Sequence, residues 1–357
     1  MADSYVSWLR ARIGPRKVLL TCTGALVLND AGAVLWGYSE DFKCWGLPGG
    51  YMELGESVVT GVQREVFEET GLVVEPIKFV GMYAGPRYEV SYPNGDEVQS
   101  VTFGFVCRIT GGKVQPDRSE VRALRFWEPG TVPEKALLSC AEMARDFFSG
   151  NIPCFELPAA SVVLNADGQD VRALIGTSRM LTVGVGGIVR NAASHILLTK
   201  RADSGLWGLP AGVMEMGETP AGTVVREAKE ELGIDVRPTP LQGVFSGPQY
   251  QLKYPDGNEV QVTSVLFECE WVGGRMRPDG VEALDAEFFF RHCLAAYVLG
   301  ARRHFAPHTC SAGHRDFYLG AREQRLQAQV VDGSPRHNYT SVKYLCRSVV
   351  KARRFAA

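Results

Sequence analysis

Residues 50–72 of the chain read GYMELGESVVTGVQREVFEETGL, and residues 212–234 read GVMEMGETPAGTVVREAKEELGI. The second stretch repeats the first at an offset of 162 residues, from position 50 to position 212. In each copy a glycine opens the run, an Arg-Glu pair and a Glu-Glu pair follow, and a second glycine closes it. The sequence therefore predicts the same arrangement twice, a glycine loop that leads into an acidic helix.

The glutamates of each predicted helix share one face. Residues three and four apart in a helix are neighbours, so three carboxylates converge in each copy: Glu65, Glu68 and Glu69, and Glu227, Glu230 and Glu231. Like charges in this arrangement repel each other, and either a bound cation or raised pKa values must compensate. Oxygen ligands of this kind suit Mg²⁺, with Mn²⁺ as a second candidate, better than zinc.

An arginine accompanies each set of carboxylates. Arg64 and Arg226 precede Glu68 and Glu230 by four residues, so each can orient a carboxylate by a charge-assisted hydrogen bond. The alternative for a single acidic helix is a solvated surface without chemistry. A second copy in the same frame argues against that alternative, because a chance match rarely repeats at every charged position.

Both stretches resemble the signature of the Nudix hydrolase family, G-x5-E-x7-R-E-U-x-E-E-x-G-U, in which U is apolar. Neither copy departs from this signature at a glycine or a charged position. The resemblance implies an α/β fold, in which two Nudix-type α/β/α sandwiches with mixed sheets follow each other in tandem. Adjacent units of this kind are expected to pack as an intramolecular pseudo-dimer.

The resemblance also implies roles for individual residues. It makes the six helical glutamates metal ligands, one in each unit also being the base that takes a proton from water: Glu65, Glu68, Glu69, Glu227, Glu230 and Glu231. The carbonyls of Gly50 and Gly212 would lie near the metal. Glu56 and Glu218 would support the junction between loop and helix.

The repeat continues well outside the two stretches. Trp45-Gly46-Leu47-Pro48 matches Trp207-Gly208-Leu209-Pro210 at the same offset, and the correspondence ends near Phe289. Local signals agree with it, since Ser57 and Thr219 can cap the two helices. We expect four segments: unit one at residues 1–150, a linker at 151–168, unit two at 169–300 and a basic extension at 301–357.

Charge and cysteine usage restrict the class of protein. A formal net charge of −2 gives no general reason to expect nucleic-acid binding. Nine cysteines form no CxxC pair and no even framework, which indicates reduced thiols. The N-terminus has no apolar signal region, and no apolar run is long enough to span a bilayer. These features predict a soluble, cytoplasmic protein without a membrane partner.

The C-terminal segment differs from the rest of the chain. Residues 291–357 contain twelve Lys or Arg against three acidic residues. A basic arm that touches RNA or another anionic surface is one interpretation, and a diverged end without a selected role is another. The spacing of His304, His308, Cys310 and His314 superficially resembles that of zinc ligands, but it matches no recognised motif.

The predicted function is Mg²⁺-dependent hydrolysis of a diphosphate linkage in a nucleoside diphosphate derivative, such as ADP-ribose, a dinucleoside polyphosphate or a nucleotide sugar. Tyr88 and Tyr250 follow the signature by sixteen residues, where relatives acting on diadenosine polyphosphates often have a tyrosine. They could stack on a base, with Arg87 beside the substrate, or simply pack the hairpin. Two alternatives remain: a ligand sensor without turnover and a hydrolase of a prenyl or other non-nucleotide diphosphate.

Overall fold

The computed structural model describes residues 4–156 and 171–290. Unit one begins with a helix and then alternates strands with two further helices: α1 (Tyr5–Ile13), β1 (Val18–Leu28), β2 (Val34–Ser39), β3 (Cys44–Gly46), α2 (Val58–Thr70), β4 (Leu72–Ser91), β5 (Glu97–Gly112), β6 (Val121–Trp127), α3 (Leu138–Ser149) and β7 (Cys154–Phe155).

Unit two follows a similar order of helices and strands and begins with a shorter helix. Its elements are α4 (Val171–Ile175), β8 (Met180–Val189), β9 (Ile196–Arg201), β10 (Trp207–Gly208), β11 (Ala211–Val213), α5 (Pro220–Leu232), β12 (Ile234–Phe245), β13 (Gln251–Lys253), β14 (Glu259–Gly274) and β15 (Ala283–Phe289). A 3-10 turn at Pro248–Tyr250 separates β12 from β13, whereas β4 of unit one runs through the corresponding region without a break.

Each unit is built on a mixed sheet. In unit one, β1 lies parallel to β5 and antiparallel to β2, and β4 lies antiparallel to β5. In unit two, β8 lies parallel to β14, which pairs antiparallel with β12. The registers agree at the same offset, since Val18 faces Val98 and Met180 faces Val260. The predicted α/β fold with mixed sheets in tandem is confirmed.

The two acidic helices begin and end where the sequence indicates. The Ser57 hydroxyl accepts a hydrogen bond from the backbone N–H of Thr60 at 3.1 Å, and the Ser57 backbone N–H donates to Thr60 Oγ1 at 2.8 Å, which completes a capping box. Thr219 caps α5 through Gly222 N–H at 3.1 Å. The left-handed glycines at positions 71 and 233 end the helices. These caps fix where each acidic helix starts relative to its loop.

The Ser57 cap gives a direct test of local stability. Ser57→Ala removes the acceptor for the Thr60 N–H, and we expect the free energy of unfolding to fall by about 1 kcal/mol. Urea denaturation followed by circular dichroism measures this change. Thr131→Ala is the control, because Thr131 is exposed and lies outside any helix. Equal stabilities of the two variants would contradict the capping role.

The region predicted as a linker begins with ordered structure. Residues 154–155 form β7, which lies parallel to β4, with Cys154 facing Gly81. A side chain on Gly81 would meet the Cys154 carbonyl at 2.4 Å, so only glycine permits this approach. The first residues after position 150 therefore extend the sheet of unit one.

Several contacts join the two units. The Phe155 and Phe267 rings lie 4.9 Å apart at their centroids, and the Tyr5 hydroxyl accepts a hydrogen bond from Leu181 N–H at 3.1 Å. The hydroxyl of Ser246 accepts one from Val58 N–H, at the first residue of α2, at 2.9 Å. Buried side chains of both units belong to one hydrophobic cluster. The units thus share packing as well as hydrogen bonds.

Three predictions concern residues outside those described. They are most of the linker at 157–168, the basic extension at 301–357, and the His304, His308, Cys310 and His314 set. Among residues 4–156 and 171–290, no helix has the length and apolar character needed to cross a membrane.

Candidate active site

In unit one the glycine loop lies directly against the acidic helix. Gly50 carbonyl accepts a hydrogen bond from Thr23 N–H of β1 at 2.9 Å, and Gly49 N–H donates to Glu69 Oε2 at 3.0 Å. A side chain on Gly50 would approach Glu65 Oε2 to 2.6 Å. A larger residue at position 50 would therefore require the Glu65 carboxylate to move.

In unit two the corresponding glycine lies even closer to a carboxylate of the acidic helix. Gly212 lies in β11, which pairs with β8 opposite Val185. A side chain on Gly212 would come within 1.8 Å of Glu227 Oε1, so no other residue fits without moving that carboxylate. Both loops therefore hold a predicted ligand carboxylate against a glycine.

Arg64 connects the loop to the carboxylates of α2. Its guanidinium donates to Glu56 Oε1 at 2.6 Å and Oε2 at 3.0 Å. Its Nη1 donates to both Glu65 Oε1 at 2.8 Å and Glu68 Oε2 at 2.9 Å. Its Nη2, which also donates to Glu56 Oε2, donates to Tyr51 carbonyl at 3.0 Å. One guanidinium thus orients three carboxylates, including the predicted bond to Glu68.

Arg226 repeats this network atom for atom. It donates to Glu218 Oε2 at 3.0 Å, to Glu227 Oε1 at 2.9 Å, to Glu230 Oε2 at 3.0 Å and to Val213 carbonyl at 3.1 Å. Glu218 and Glu227 are nearly fully buried. Both units therefore keep the complete arrangement of arginine and carboxylates.

Burial sets the electrostatics of the unit-one carboxylates. It raises the pKa of Glu65 to about 7, although the nearby Arg64 charge acts in the opposite direction. Burial also raises the pKa of Glu69 well above its usual range, against the hydrogen bond from Gly49 N–H. A cation beside these groups would favour their charged forms.

A cleft of about 860 Å³ opens over these groups in unit one. The predicted residues on its wall are Gly50, Arg64, Glu65, Glu68 and Glu69. It is also lined by acidic and aromatic side chains that the signature does not contain: Asp41, Phe42, Tyr51, Glu53, Tyr92, Asp117 and Glu120. The structure thus brings the predicted carboxylates of α2 together at one cavity.

Some of these additional residues carried a signal in the sequence. Asp117 and Glu120 recur as Asp279 and Glu282 at the repeat offset. The Asp117 carboxylate accepts backbone N–H bonds from Glu120 and, at 3.0 Å, from Val121, which closes the turn that carries Glu120. Burial raises the pKa of Glu120, with the Asp117 charge acting in the same direction. The repeat beyond the signature marks this pair in the sequence, where Glu120 and Glu282 are candidates either for an additional acid facing the metal or for solvated loop residues.

The predicted substrate-binding residues are not among those that line this cleft. Tyr88 is 5% exposed, and its hydroxyl donates to Glu156 Oε1 at 2.8 Å and also to Glu142. Arg87 forms ion pairs with the same two glutamates, at 2.9 Å for Glu156. Tyr250 is buried in the 3-10 turn of unit two. These positions favour the packing alternative, and substrate contact by these residues stays a prediction.

The donor set fits a hard divalent cation. In each unit several carboxylates contact one guanidinium. The loop glycine leaves a space beside one of these carboxylates, and a side chain at the glycine position would fill that space. In the described residues no three His, Cys, Asp or Glu side chains surround a common point as metal ligands would. Instead, Nη1 of each arginine lies between two of the carboxylates.

Comparison with known proteins gives two matches to one family. The NUDIX domain model matches residues 19–147 and again residues 180–307. These two ranges together cover more than half of the chain.

Individual relatives match parts of the chain. An ADP-ribose pyrophosphatase of Methanocaldococcus jannaschii is 39% identical over 110 residues, which are 30% of this chain and 60% of that protein. The 8-oxo-dGDP phosphatase NUDT18 of Mus musculus is 32% identical over 181 residues, 45% of this chain and 53% of that protein. A crystal structure of an ADP-ribose pyrophosphatase from Streptococcus suis covers 37% of this chain and 92% of its own, with 26% identity and a TM-score of 0.30.

Proposed function

The chain belongs to the Nudix family, with two units in tandem, and from this premise we propose that it hydrolyses a diphosphate linkage in a nucleoside diphosphate derivative with Mg²⁺. Mn²⁺ is the alternative ion. The observation that carries the proposal is the complete network of arginine and carboxylates in both units, at matching distances. The relatives named ADP-ribose pyrophosphatase and 8-oxo-dGDP phosphatase support the substrate class.

The residues of each unit would have different roles in the reaction. Glu65, Glu68 and Glu69 would hold the ion in unit one, with Gly50 carbonyl beside them, and Glu227, Glu230, Glu231 and Gly212 would do so in unit two. A bound divalent cation acidifies water and neutralises charge that develops on phosphate. The arginine of each unit keeps two of these proposed ligand carboxylates oriented without adding a ligand of its own.

The chemical step is attack of water on phosphorus. The water oxygen forms a bond to one phosphorus as the anhydride bond to the bridging oxygen breaks, and the leaving phosphate keeps the bonding electrons. A carboxylate on the buried side of the helix, Glu65 or Glu69 in unit one, accepts the proton of the water. The cleft beside α2 is large enough for a nucleotide-sized substrate, since ligand cavities are typically about 300–1,000 Å³.

The sensor alternative is less well supported. A protein that only binds its ligand has no need for carboxylates crowded at one cavity, because buried charges without a partner are costly. Both units nevertheless keep all six glutamates and both arginines. A non-nucleotide diphosphate, such as a prenyl diphosphate, uses the same reaction centre and differs only in the leaving group.

The proposal also covers how the two units are arranged and in which cell compartment the protein acts. We propose an intramolecular pseudo-dimer, which the contacts of Tyr5 with Leu181 and of Val58 with Ser246 support. The cytoplasm is the compartment that the nine cysteines predict. The formal net charge of −2 gives no general reason to expect nucleic-acid binding, and contact of the basic extension with RNA stays one interpretation.

A substrate panel with metal control tests the function. ADP-ribose, a diadenosine polyphosphate, a nucleotide sugar, an oxidised deoxynucleotide and a prenyl diphosphate are incubated with the full chain, with Mg²⁺, with Mn²⁺ or with chelator. We expect cleavage of at least one nucleotide substrate with metal and none with chelator. Binding without cleavage would favour the sensor, and cleavage of the prenyl compound alone would favour the non-nucleotide alternative.

Metal binding is tested separately from turnover by thermal unfolding. Mg²⁺ at about a hundred times its dissociation constant stabilises the folded state by about 2.7 kcal/mol per site, so the melting temperature should rise with Mg²⁺. Sodium chloride at equal ionic strength is the control. A melting temperature that responds equally to both salts would contradict a built metal site.

A further inference from the structure

Two glutamines reach across from one unit to the catalytic loop of the other. Gln261 of unit two accepts a hydrogen bond from Gly55 N–H at 2.7 Å and donates to Glu56 carbonyl at 2.8 Å. Gln99 of unit one accepts one from Gly217 N–H at 2.7 Å and donates to Glu218 carbonyl at 3.1 Å. The four contacts are related by the repeat offset, so they form a reciprocal pair.

Both glutamines project from the strands at the centre of their sheets. Gln99 lies in β5 opposite Leu19 of β1, and Gln261 lies in β14 opposite Leu181 of β8. Their exposed fractions are 0% and 1%. Both side-chain bonds of Gln99 cross to unit two, while Gln261 also accepts a bond from Gln251 of its own unit at 3.1 Å. A buried amide without partners would be costly, so these bonds matter energetically.

The residues they hold are the ones that set the arginine network. Glu56 accepts two bonds from Arg64, and Arg64 in turn orients Glu65 and Glu68. Gln261 therefore fixes the backbone of the residue on which the unit-one network rests. Gln99 does the same for Glu218 and the unit-two network.

The first residues of the two acidic helices give an independent indication that each loop contacts the opposite unit. Val58 N–H donates to Ser246 of unit two. At the repeat offset these positions become Pro220, which has no N–H to donate, and Ala84, which has no hydroxyl to accept. The opposite segments still touch there, since a side chain on Gly85 would lie 2.9 Å from the Thr219 methyl. At the start of α2 both the donor and the acceptor of this bond are present, and at the start of α5 both are absent.

We propose that Gln99 and Gln261 are reciprocal positioning residues, each of which holds the loop before the acidic helix in the unit to which it does not belong. Each site is then completed by the other half of the chain. The effect on catalysis rests on the proposed hydrolysis, whereas the effect on the loops does not.

Hydrogen exchange resolved to single amides tests the loop contacts without any turnover. In the full chain, Gln261→Met should speed exchange of Gly55 N–H about 10-fold, the factor that one buried hydrogen bond supports. It should leave Gly217 N–H nearly unchanged. Gln99→Met should give the opposite pattern. Gln63→Met is the control, because Gln63 donates to Val74 carbonyl within unit one, and it should move neither amide.

Activity provides the second measurement, in backgrounds that leave one site intact. With unit two silenced by Glu231→Gln, Gln261→Met should lower kcat/KM of the unit-one site about 10-fold, and Gln99→Met should have a smaller effect. With unit one silenced by Glu69→Gln, the order should reverse. If a methionine variant does not fold, Gln261→Glu and Gln99→Glu replace it, since they keep the acceptor and lose the donor.

Two results would overturn the proposal. One is that each substitution perturbs only the loop or the activity of its own unit, as a purely local packing role requires. The other is unchanged exchange of Gly55 and Gly217 in folded methionine variants, or unchanged activity in the glutamate variants that replace them. Altered exchange together with an inactive wild-type chain would keep the positioning role and reject the hydrolysis instead.

Discussion

Replacing Glu69 and Glu231 together by glutamine is expected to lower the rate of metal-dependent hydrolysis by at least about 10²-fold, the range seen when a positioned acid–base group is lost. Glutamine keeps the size of each side chain but removes the negative charge that a cation requires. Glu69 Oε2 accepts the Gly49 N–H bond, and Glu231 is nearly fully buried. Steady-state kinetics on the substrate found in the panel measures the loss.

The single variants divide the activity between the units. If both sites turn over, Glu69→Gln and Glu231→Gln should each leave the part that belongs to the other unit. Glu75→Gln is the control, because Glu75 is an exposed partner of Arg108 on the sheet of unit one. Full activity in the double variant would sink the carboxylate mechanism in both units.

An alanine at either loop glycine is expected to displace a carboxylate that we propose as a metal ligand. The added side chain would meet Glu65 Oε2 at 2.6 Å in Gly50→Ala and Glu227 Oε1 at 1.8 Å in Gly212→Ala. Because the second approach is closer, Gly212→Ala should weaken metal binding and turnover of its site more. We expect losses of about 10-fold to 100-fold, the range seen when the shell that orients metal ligands is disturbed.

Gly111→Ala is the matched control for these two substitutions. Gly111 lies in β5, and an added side chain there would approach only Val73, at 3.9 Å. Melting temperatures with and without Mg²⁺, measured for all three variants, separate lost metal binding from lost folding. If Gly212→Ala binds Mg²⁺ as tightly as the unchanged chain, metal binding does not depend on the position of the Glu227 carboxylate.

Much of the fold follows from local signals in the sequence. Ser57 and Thr219 cap the helices, the left-handed glycines end them, and Asn94-Gly95 turns the hairpin between β4 and β5. These features depend on a few neighbouring residues, so they can be inferred without knowing the rest of the chain. The convergence of Glu65, Glu68 and Glu69 is likewise a property of helix periodicity.

Features that depend on distant parts of the chain could not be inferred in this way. Gln99 and Gln261 stand in apolar strands, where a polar side chain gives no indication of its partner. The contacts between residues 99 and 217 are set by how the two units pack, which no local pattern encodes. Tyr88 illustrates the opposite difficulty, because its spacing suggested a base-stacking role while its hydroxyl bonds Glu142 and Glu156.

The contact between Val58 and Ser246 has a consequence for the history of the duplication. A chain made of two copies of unit one would set the Val58 N–H against alanine, and a chain made of two copies of unit two would set the Ser246 hydroxyl against proline. Only the mixed pair satisfies both partners on that side. The halves have thus become complementary rather than interchangeable, and a reversion to two identical copies would lose a bond at the start of an acidic helix.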